Sequence, residues 1–234
     1  MLTYNAPVPI AGERSSANPM SSTIVPLGQH LQPTESTMTS VTGLSEVKGQ
    51  QAPRVHHIWL VTGPAGCGKT TVAEHLSTTL GLPYLEGDTY HPQANIDKMA
   101  NGIPLTDADR WDWLTLLREE SIKQLKSGAQ GVVLTCSALK RKYRDVIRVA
   151  PYFKHDVVLH FIYLHAPETV LLERVGLRQG HYMGANMVRS QFAILEPPTE
   201  DETDVISIDV SGPIDGVLKV ALEQATRRIG EAVD

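Results

Sequence analysis

The sequence predicts a three-layer α/β/α domain built on a central parallel sheet. From about residue 55 onward, short apolar runs alternate with amphipathic segments, a pattern typical of parallel strands covered by helices on both faces. One apolar run leads directly into a glycine-rich motif of the form G-x-x-x-x-G-K-T at 63–70, and a segment of helical periodicity follows it. Together these observations predict a phosphate-loop NTPase fold with a mobile lid.

The individual elements follow from the same patterns. The continuous apolar runs at 132–134 and 157–159 are typical of strands that are buried on both faces. An apolar stripe at helical spacing predicts a helix over 138–149, with Ser137 at its N-cap. Strands are predicted at 57–62, 82–86, 132–136, 157–164 and 205–210, and helices at 69–80, 111–127, 138–149, 167–177, 184–195 and 214–228.

Composition narrows the classes of function. The chain has 234 residues and a net charge of -5, which argues against a nucleic-acid partner bound by general electrostatics. No run of about 18 apolar residues predicts a transmembrane helix, and the N-terminus lacks the pattern of a secretory signal. Cys67 and Cys136 are far apart in sequence and indicate neither a disulfide framework nor a zinc site. We therefore expect no membrane association and a reducing, cytoplasmic location.

The first 53 residues differ in character from the rest. They are rich in Ser, Thr, Pro and Gly and show no sustained periodicity, so they cannot bury enough apolar surface to offset the entropy of ordering. We expect a mostly disordered extension over 1–53, followed by a phosphate-loop domain over 54–234. A mitochondrial presequence, disfavoured by the scarcity of Arg, and a regulatory tail are the alternatives for the extension.

The glycine-rich motif predicts a site for a nucleoside triphosphate. Its glycines let backbone N–H groups turn inward around phosphate oxygens, and the dipole of the following helix adds to the attraction. Lys69 supplies a positive charge for the outer phosphates, and the Thr70 hydroxyl is a ligand for Mg²⁺. The third strand ends without the acidic residue that often completes this metal site, so phosphate oxygens and water are expected to complete it. The alternative, a chance glycine turn, is disfavoured by the flanking strand and helix. The predicted ATP-binding residues of the motif are Gly63, Pro64, Ala65, Gly66, Cys67, Gly68, Lys69 and Thr70.

A second polar cluster, at 86–92, follows the second predicted strand. In this type of sheet that position faces the phosphate loop across a crevice, so the Asp88 carboxylate can orient an acceptor hydroxyl and take its proton. Asp88 is also a further candidate ligand for the metal. A plain Gly-Asp turn is the alternative interpretation for Asp88, and a structural role is the alternative for His91.

Two further stretches carry basic side chains that suit an acidic acceptor. Lys98 and Arg110 belong to a polar stretch at 95–110, and Lys140 and Arg144 follow the third strand. Each stretch has a plain alternative, which is a solvated connection for the first and a solvated helix face for the second.

The segment at about 174–188 is the predicted lid. Arg174 and Arg178 are four residues apart and share a face if the segment is helical, while Gly176 and Gly180 supply flexibility. A mobile segment with two arginines suits a lid that excludes water and stabilises charge on a transferring phosphoryl group. A solvated arginine face is the alternative.

Taken in order, these blocks resemble the gluconate kinases (gluconokinases), which are small phosphate-loop enzymes related in fold to nucleoside monophosphate kinases and shikimate kinase. The resemblance spans about 57–228. Its most specific parts are Glu86-Gly-Asp-x-x-His-Pro92, the stretch from Asn95-x-x-Lys98-Met through Gly102-x-Pro-Leu-x-Asp-x-Asp-Arg110, Cys136-Ser-Ala-Leu-Lys-Arg-x-Tyr-Arg-Asp145, Arg178-x-x-His181 and Ser190-Gln-Phe-x-x-Leu-Glu-x-Pro198.

The resemblance implies a reaction and a set of cofactors and partners. The reaction is transfer of the γ-phosphoryl group of ATP, with Mg²⁺, to the 6-hydroxyl of D-gluconate, giving 6-phosphogluconate for the pentose phosphate pathway. Relatives are often dimers, so a homodimer is a possible assembly. A kinase of shikimate or of a related sugar acid is the alternative enzyme, and a non-catalytic nucleotide-binding regulator is the alternative from another class.

The resemblance also implies residue roles. Asp88 is the base or the hydroxyl-orienting group, Arg174 lies near the adenine, Arg178 lies on the phosphates, and the loop at 211–213 borders the adenine. Lys69, Asp88 and Arg178 form the implied catalytic set. The implied acceptor residues are Asp88, His91, Lys98, Arg110, Lys140 and Arg144, and which of the basic groups holds the carboxylate is left open.

Two positions depart from the family pattern. Asp112 stands where relatives usually carry Pro before Trp-Leu, and a carboxylate is well tolerated in a first helical turn. Tyr182 follows His181 where relatives often carry Phe. Neither departure is expected to alter the chemistry.

Overall fold

A computed structural model of the chain describes residues 55–153, 156–177 and 185–231. The predicted extension at 1–53 and the tip of the predicted lid, including Arg178, lie outside the described residues. Within the described ranges, no helix combines the length and the apolar character that crossing a bilayer requires.

Five parallel strands form the centre of the domain, which confirms the predicted fold class. The strands are β1 His56–Thr62, β2 Tyr84–Leu85, β3 Gly131–Thr135, β4 Val157–His165 and β5 Val205–Asp209. They lie side by side in the order β2-β3-β1-β4-β5. In the central strand, Leu60 is in register with Leu134 on one side and Phe161 on the other. Parallel strands need crossover helices, so both faces of this sheet are covered.

Seven α-helices in the described ranges surround the sheet. They are α1 Lys69–Leu80, α2 Gln93–Ala100, α3 Trp111–Lys126, α4 Arg141–Arg148, α5 Glu168–Gly176, α6 Ala185–Ile194 and α7 Ile214–Glu231, with 3₁₀ turns at Gly87–Tyr90 and Pro151–Phe153. Alternate residues of a strand face opposite sides of a sheet. Accordingly, Trp59 and Val61 of β1 pack in one core with residues of α1, α5, α6 and α7, whereas Ile58 and Leu60 pack in a second core with α3 and α4.

The structure corrects the predicted start of the fourth helix. This helix begins at Arg141 with Lys140 as its N-cap, so Ser137 does not cap it. Ala138 has a φ of 36°, which no α-helix accommodates. The carbonyl of Ser137 instead accepts a hydrogen bond from the Thr62 hydroxyl at 2.6 Å. The chain between β3 and α4 is therefore a loop held against the end of β1.

The polar stretch after β2 contains a helix that the sequence analysis missed. In α2, only Asn95 and Met99 are buried, four residues apart on one face. The other positions are polar or exposed, so the hydrophobic periodicity is too weak to predict a helix. The stretch at 95–110 is therefore irregular, as predicted, only in its second half.

Candidate active site

A cleft of about 510 Å³ opens beside the phosphate loop, at the carboxyl ends of the central strands. This is the edge of an open α/β sheet at which ligands bind. The loop residues Gly68, Lys69 and Thr70 line it together with Glu86, Asp88 and Arg110.

The phosphate loop needs glycine for its backbone and for its packing. Gly63 and Gly68 have φ values of 140° and 91°, which side chains rarely adopt. A Cβ on Gly63 would lie 2.3 Å from the carbonyl oxygen of Leu164. α1 begins at Lys69, directly after Gly68, so its unpaired N–H groups and its dipole face the cleft. The loop has the shape that an anion site requires.

Two side chains of the loop have well-defined surroundings. Lys69 donates from Nζ to the carbonyl oxygens of Gly63 at 3.0 Å and Pro64 at 3.1 Å. A phosphate oxygen can replace these neutral acceptors with a stronger charge-assisted bond. Cys67 is buried, and burial raises the pKa of its thiol, which favours the protonated form.

Asp88 lies in the 3₁₀ turn after β2 and lines the cleft. About half of its side chain, 49%, is exposed. Desolvation by the surrounding protein raises the pKa of its carboxyl; the positive charge of Lys69 opposes this rise and the negative charge of Glu86 adds to it. A carboxylate with a raised pKa is a better proton acceptor than an ordinary Asp side chain.

His91 forms part of the cleft wall as a neutral ring. It stacks on Trp113 with 3.9 Å between ring centroids, and Trp113 donates from Nε1 to the carbonyl oxygen of Gly87 at 2.8 Å. Burial, together with the charge of Arg110, lowers the pKa of His91 to about 4. His91 therefore presents a neutral imidazole next to Asp88, 4.0 Å away.

Among the four basic residues predicted to bind the acceptor, Arg110 alone lines the cleft. It is buried, and its Nη1 donates to the carbonyl oxygens of Leu105 at 2.5 Å and Thr106 at 3.0 Å. Tyr143 lies beneath its guanidinium, 5.3 Å from the ring centroid. These contacts fix the orientation of Arg110 without neutralising its charge.

The other three predicted acceptor-binding cations do not line the cleft, and each is paired with a carboxylate. Lys98 contacts Asp109 at 2.6 Å, and Lys140 contacts Asp107 at 3.1 Å. Arg144 is buried and makes two hydrogen bonds with Glu202, at 2.7 and 2.6 Å. Since its charge is already compensated within the protein, we propose a structural role for Arg144 in place of the expected substrate contact.

Glu86 is the cleft residue whose role the sequence analysis missed. Its two carboxylate oxygens accept hydrogen bonds from Thr70 Oγ1 at 3.1 Å and from Thr135 Oγ1 at 2.5 Å, and Tyr84 donates to it as well. The sequence feature that could have indicated this role is the third strand, which ends on Thr135 and lacks an acidic residue. Glu86 directly follows the neighbouring strand β2 and places a carboxylate next to the end of β3.

A smaller groove of about 280 Å³ also borders the phosphate loop, since Gly66 and Gly68 line both it and the cleft. Arg174 lines it with Gly66, Val210 and Gly212, and its Nη2 donates to the carbonyl oxygen of Val210 at 2.6 Å. Of these residues, Arg174 and Gly212 are the ones that the sequence analysis expects to border an adenine. Arg178, the second predicted lid arginine, lies outside the described residues.

Comparisons with known proteins agree with this arrangement. A family model described as an AAA domain matches residues 58–198. The chain is 52% identical over 155 residues to the probable gluconokinase of Schizosaccharomyces pombe, covering 66% of this chain and 80% of that protein. It is 46% identical to the gluconokinase of Gluconobacter oxydans, covering 61% of this chain and 77% of that protein.

A solved structure gives the same result in three dimensions. The crystal structure of a gluconokinase from Sinorhizobium meliloti 1021 aligns with a TM-score of 0.65 and 37% identity, covering 78% of this chain and 97% of that one. Identity at this level over most of the relatives' length, on a shared phosphate-loop fold, is sufficient to assign the family. The chain belongs to the gluconokinase family.

Proposed function

We propose that this chain is a gluconokinase, which transfers the γ-phosphoryl group of ATP to the 6-hydroxyl of D-gluconate. The products are ADP and 6-phospho-D-gluconate, which feeds the pentose phosphate pathway. One observation carries the proposal: a single cleft joins the phosphate loop to a carboxylate, Asp88, and to a fixed cation, Arg110. A phosphoryl donor and an anionic, hydroxylated acceptor can therefore meet within it.

ATP is the donor in this proposal. The backbone N–H groups of the loop at 63–70 and the ammonium of Lys69 bind its phosphates. The groove beside Arg174 takes the adenine, and Arg178 of the lid completes the phosphate contacts. Gly66 and Gly68 of the same loop line this groove, which supports the assignment.

The chemistry of the residues around Thr70 fits Mg²⁺. The Thr70 hydroxyl and the Glu86 carboxylate lie 3.1 Å apart, and oxygen donors are what this ion prefers. Across the described ranges no three His, Cys, Asp or Glu side chains form a metal-binding group. An ion held by Thr70, water and substrate phosphates suits such a site, because Mg²⁺ usually keeps several waters. When bound, it neutralises charge on the phosphate oxygens.

Asp88 carries the proton transfer. As the 6-oxygen of gluconate bonds to the γ-phosphorus, the bond from that phosphorus to the bridging oxygen breaks and its electron pair stays on ADP. Asp88 orients the hydroxyl and takes its proton, for which its raised pKa is favourable. Lys69 stabilises the charge on the phosphoryl oxygens.

Arg110 is our choice for the acceptor carboxylate. Among the described residues, Arg110 and Lys69 are the cleft cations without a carboxylate partner. Lys69 is assigned to the phosphates, which leaves Arg110, and a guanidinium pairs well with a carboxylate. The stacked rings of His91 and Trp113 form the wall beside it. Lys98 and Lys140 would have to leave their aspartate partners to reach the substrate.

Location and assembly are part of the proposal. Cys67 and Cys136 are both buried free thiols, which suits a reducing, cytoplasmic location. We retain a homodimer as the proposed assembly.

An acceptor screen tests the function. We expect ATP-dependent turnover of D-gluconate to exceed that of other aldonates, shikimate and nucleoside monophosphates. Equal turnover of shikimate and gluconate would contradict the substrate assignment. Bound ATP without turnover of any acceptor would instead indicate a non-catalytic regulator.

A further inference from the structure

A hydrogen bond joins the helix after the lid to the phosphate loop. Gln191 lies on α6, and its Oε1 accepts the backbone N–H of Ala65 at 2.7 Å. Met187, four residues earlier on the same helical face, also lines the cleft. α6 is thus a wall of the active site as well as part of the outer layer.

The contact fixes how the Gln191 amide is oriented. A backbone N–H can only donate, so the side-chain amide atom that bonds Ala65 has to be the oxygen, Oε1. The amide nitrogen, Nε2, therefore points away from the Ala65 N–H. Within the described ranges, neither N–H of that nitrogen donates to a protein acceptor. Gln191 is partly exposed where it lines the cleft, so these donors are available to a ligand.

The neighbours of Gln191 indicate which part of a ligand it meets. Lys69 bonds the carbonyls of Gly63 and Pro64, and Gln191 bonds the next residue, Ala65. Asp88 is close enough to Lys69 for the ammonium charge to act on its carboxyl. Lys69, Asp88 and Gln191 therefore line the same cleft, with Lys69 and Gln191 both anchored on 63–65 of the phosphate loop.

We propose that Gln191 is a catalytic residue whose Nε2 donates to an oxygen of the transferred phosphoryl group. The bond from Ala65 to Oε1 holds the amide in place before the substrate arrives. A fixed donor of this kind lowers the barrier because charge on the phosphoryl oxygens is stabilised without reorganisation. This inference rests on the proposed kinase function.

Two substitutions distinguish the donor role of the Gln191 amide nitrogen from the acceptor role of its oxygen. Gln191→Leu removes both halves of the amide, whereas Gln191→Glu keeps an acceptor for Ala65 and loses the donor at neutral pH. We expect each to lower kcat for gluconate by about 100-fold, with the Kd of ADP changed by no more than about 3-fold. As pH falls, the introduced carboxyl gains a proton and can donate again. The ratio of the Gln191→Glu kcat to the wild-type kcat should then rise, whereas a variant that is merely misfolded would keep a low ratio at every pH.

Ser190→Ala is the matched control. Ser190 is the preceding residue of α6, and its hydroxyl donates within the helix to the carbonyl of Met187 at 2.9 Å, so this variant should keep the wild-type kcat. Thermal melting checks that each variant folds, and if Gln191→Leu does not fold, the pH profile of Gln191→Glu decides.

Three outcomes would overturn the inference: a Gln191→Leu kcat close to wild type, a Gln191→Glu variant as active as wild type at neutral pH, or a kcat ratio that does not change with pH. Failure of the proposed function is distinguishable, because the wild-type protein would then not phosphorylate gluconate in the same assay.

Discussion

The charge of a side chain does not by itself show whether it can bind a ligand in this cleft. The contacts that already hold or neutralise that charge within the protein decide it. Arg110 and Arg144 are both buried arginines in blocks that resemble the gluconokinases. Arg110 is held by neutral carbonyls and keeps its charge available, whereas Glu202 compensates the charge of Arg144. Glu86 is an acidic side chain without a cationic partner among these contacts. Its carboxylate instead accepts hydrogen bonds from the hydroxyls of Thr70 and Thr135.

Removing the loop lysine should abolish most of the activity. For Lys69→Ala we expect kcat to fall by at least ~100-fold, because losing one preorganised contact to the transferring group costs about 2.7–4 kcal/mol. Steady-state kinetics with gluconate measures this. Lys219→Ala, at an exposed lysine of α7, is the control and should behave as wild type. Near-normal activity of Lys69→Ala would show that the loop is not the phosphate site.

Asp88→Asn tests the proposed base. We expect kcat to fall by about 10²–10⁴-fold while ATP affinity is nearly unchanged, since the amide cannot take the hydroxyl proton. Because the pKa of Asp88 is raised, wild-type kcat should begin to fall at a higher pH than an ordinary aspartate would cause. A pH–rate profile should show this acid limb in the wild type but not in the variant. A rise in the KM of gluconate alone would make Asp88 a binding group.

At the scale of elements, one buried ion pair joins α4 to the segment before β5. Besides Glu202, the Arg144 guanidinium donates to the carbonyls of Ala138 at 3.3 Å and Glu196 at 3.1 Å. Ala138 carries the unusual φ of 36°, and Ser137 before it lines the cleft. The pair therefore holds the loop between β3 and α4 in the conformation that borders the active site.

Breaking this pair should destabilise the domain. Arg144→Met leaves the buried Glu202 carboxylate without its main partner, and we expect a loss of about 3–5 kcal/mol in the free energy of unfolding. The Tm should fall by at least about 6 °C. Arg141→Ala is the matched control, since the Arg141–Asp201 pair is 50% and 59% exposed and its loss should hardly change the Tm. An unchanged Tm for Arg144→Met would refute the structural role.

The same pair predicts a pH dependence of stability. Burial alone would raise the pKa of Glu202, but hydrogen bonds from Arg144 and Arg148 hold it at about 2. The folded value lies below the ordinary value of 4.5, so the stabilisation is complete above that pH and is lost as pH falls from about 4.5 towards about 2. Denaturant unfolding at a series of pH values should show this loss, and Glu202→Gln should reduce it.

At the scale of the whole molecule, strand order assembles the site. β1 lies between β3 and β4, so the loop at 63–70 opens at the same edge as the ends of β2 and β3. Glu86 and Thr135, which are 49 residues apart, meet there. The residues that carry the proposed chemistry all belong to the domain predicted at 54–234.

Deleting residues 1–50 should therefore leave kcat and KM nearly unchanged. The proposed site draws only on residues of the domain at 54–234, and the extension is predicted to be disordered, so its removal is not expected to disturb the site. Kinetics and soluble yield of the truncated and full-length proteins measure this side by side. A large loss of folding yield on truncation would contradict the disorder prediction.

The sequence by itself determined the parallel α/β fold, the phosphate loop and the position of Asp88. These are encoded by neighbouring residues, through apolar runs, glycine spacing and the residue type that follows a strand. Only the tertiary structure decided that Arg110 faces the cleft while Arg144 does not, that Glu86 bonds both Thr70 and Thr135, and that Gln191 reaches Ala65. The physical reason is that burial, charge compensation and hydrogen bonding depend on partners dozens of residues away, such as the 126 between Ala65 and Gln191, which no local pattern records.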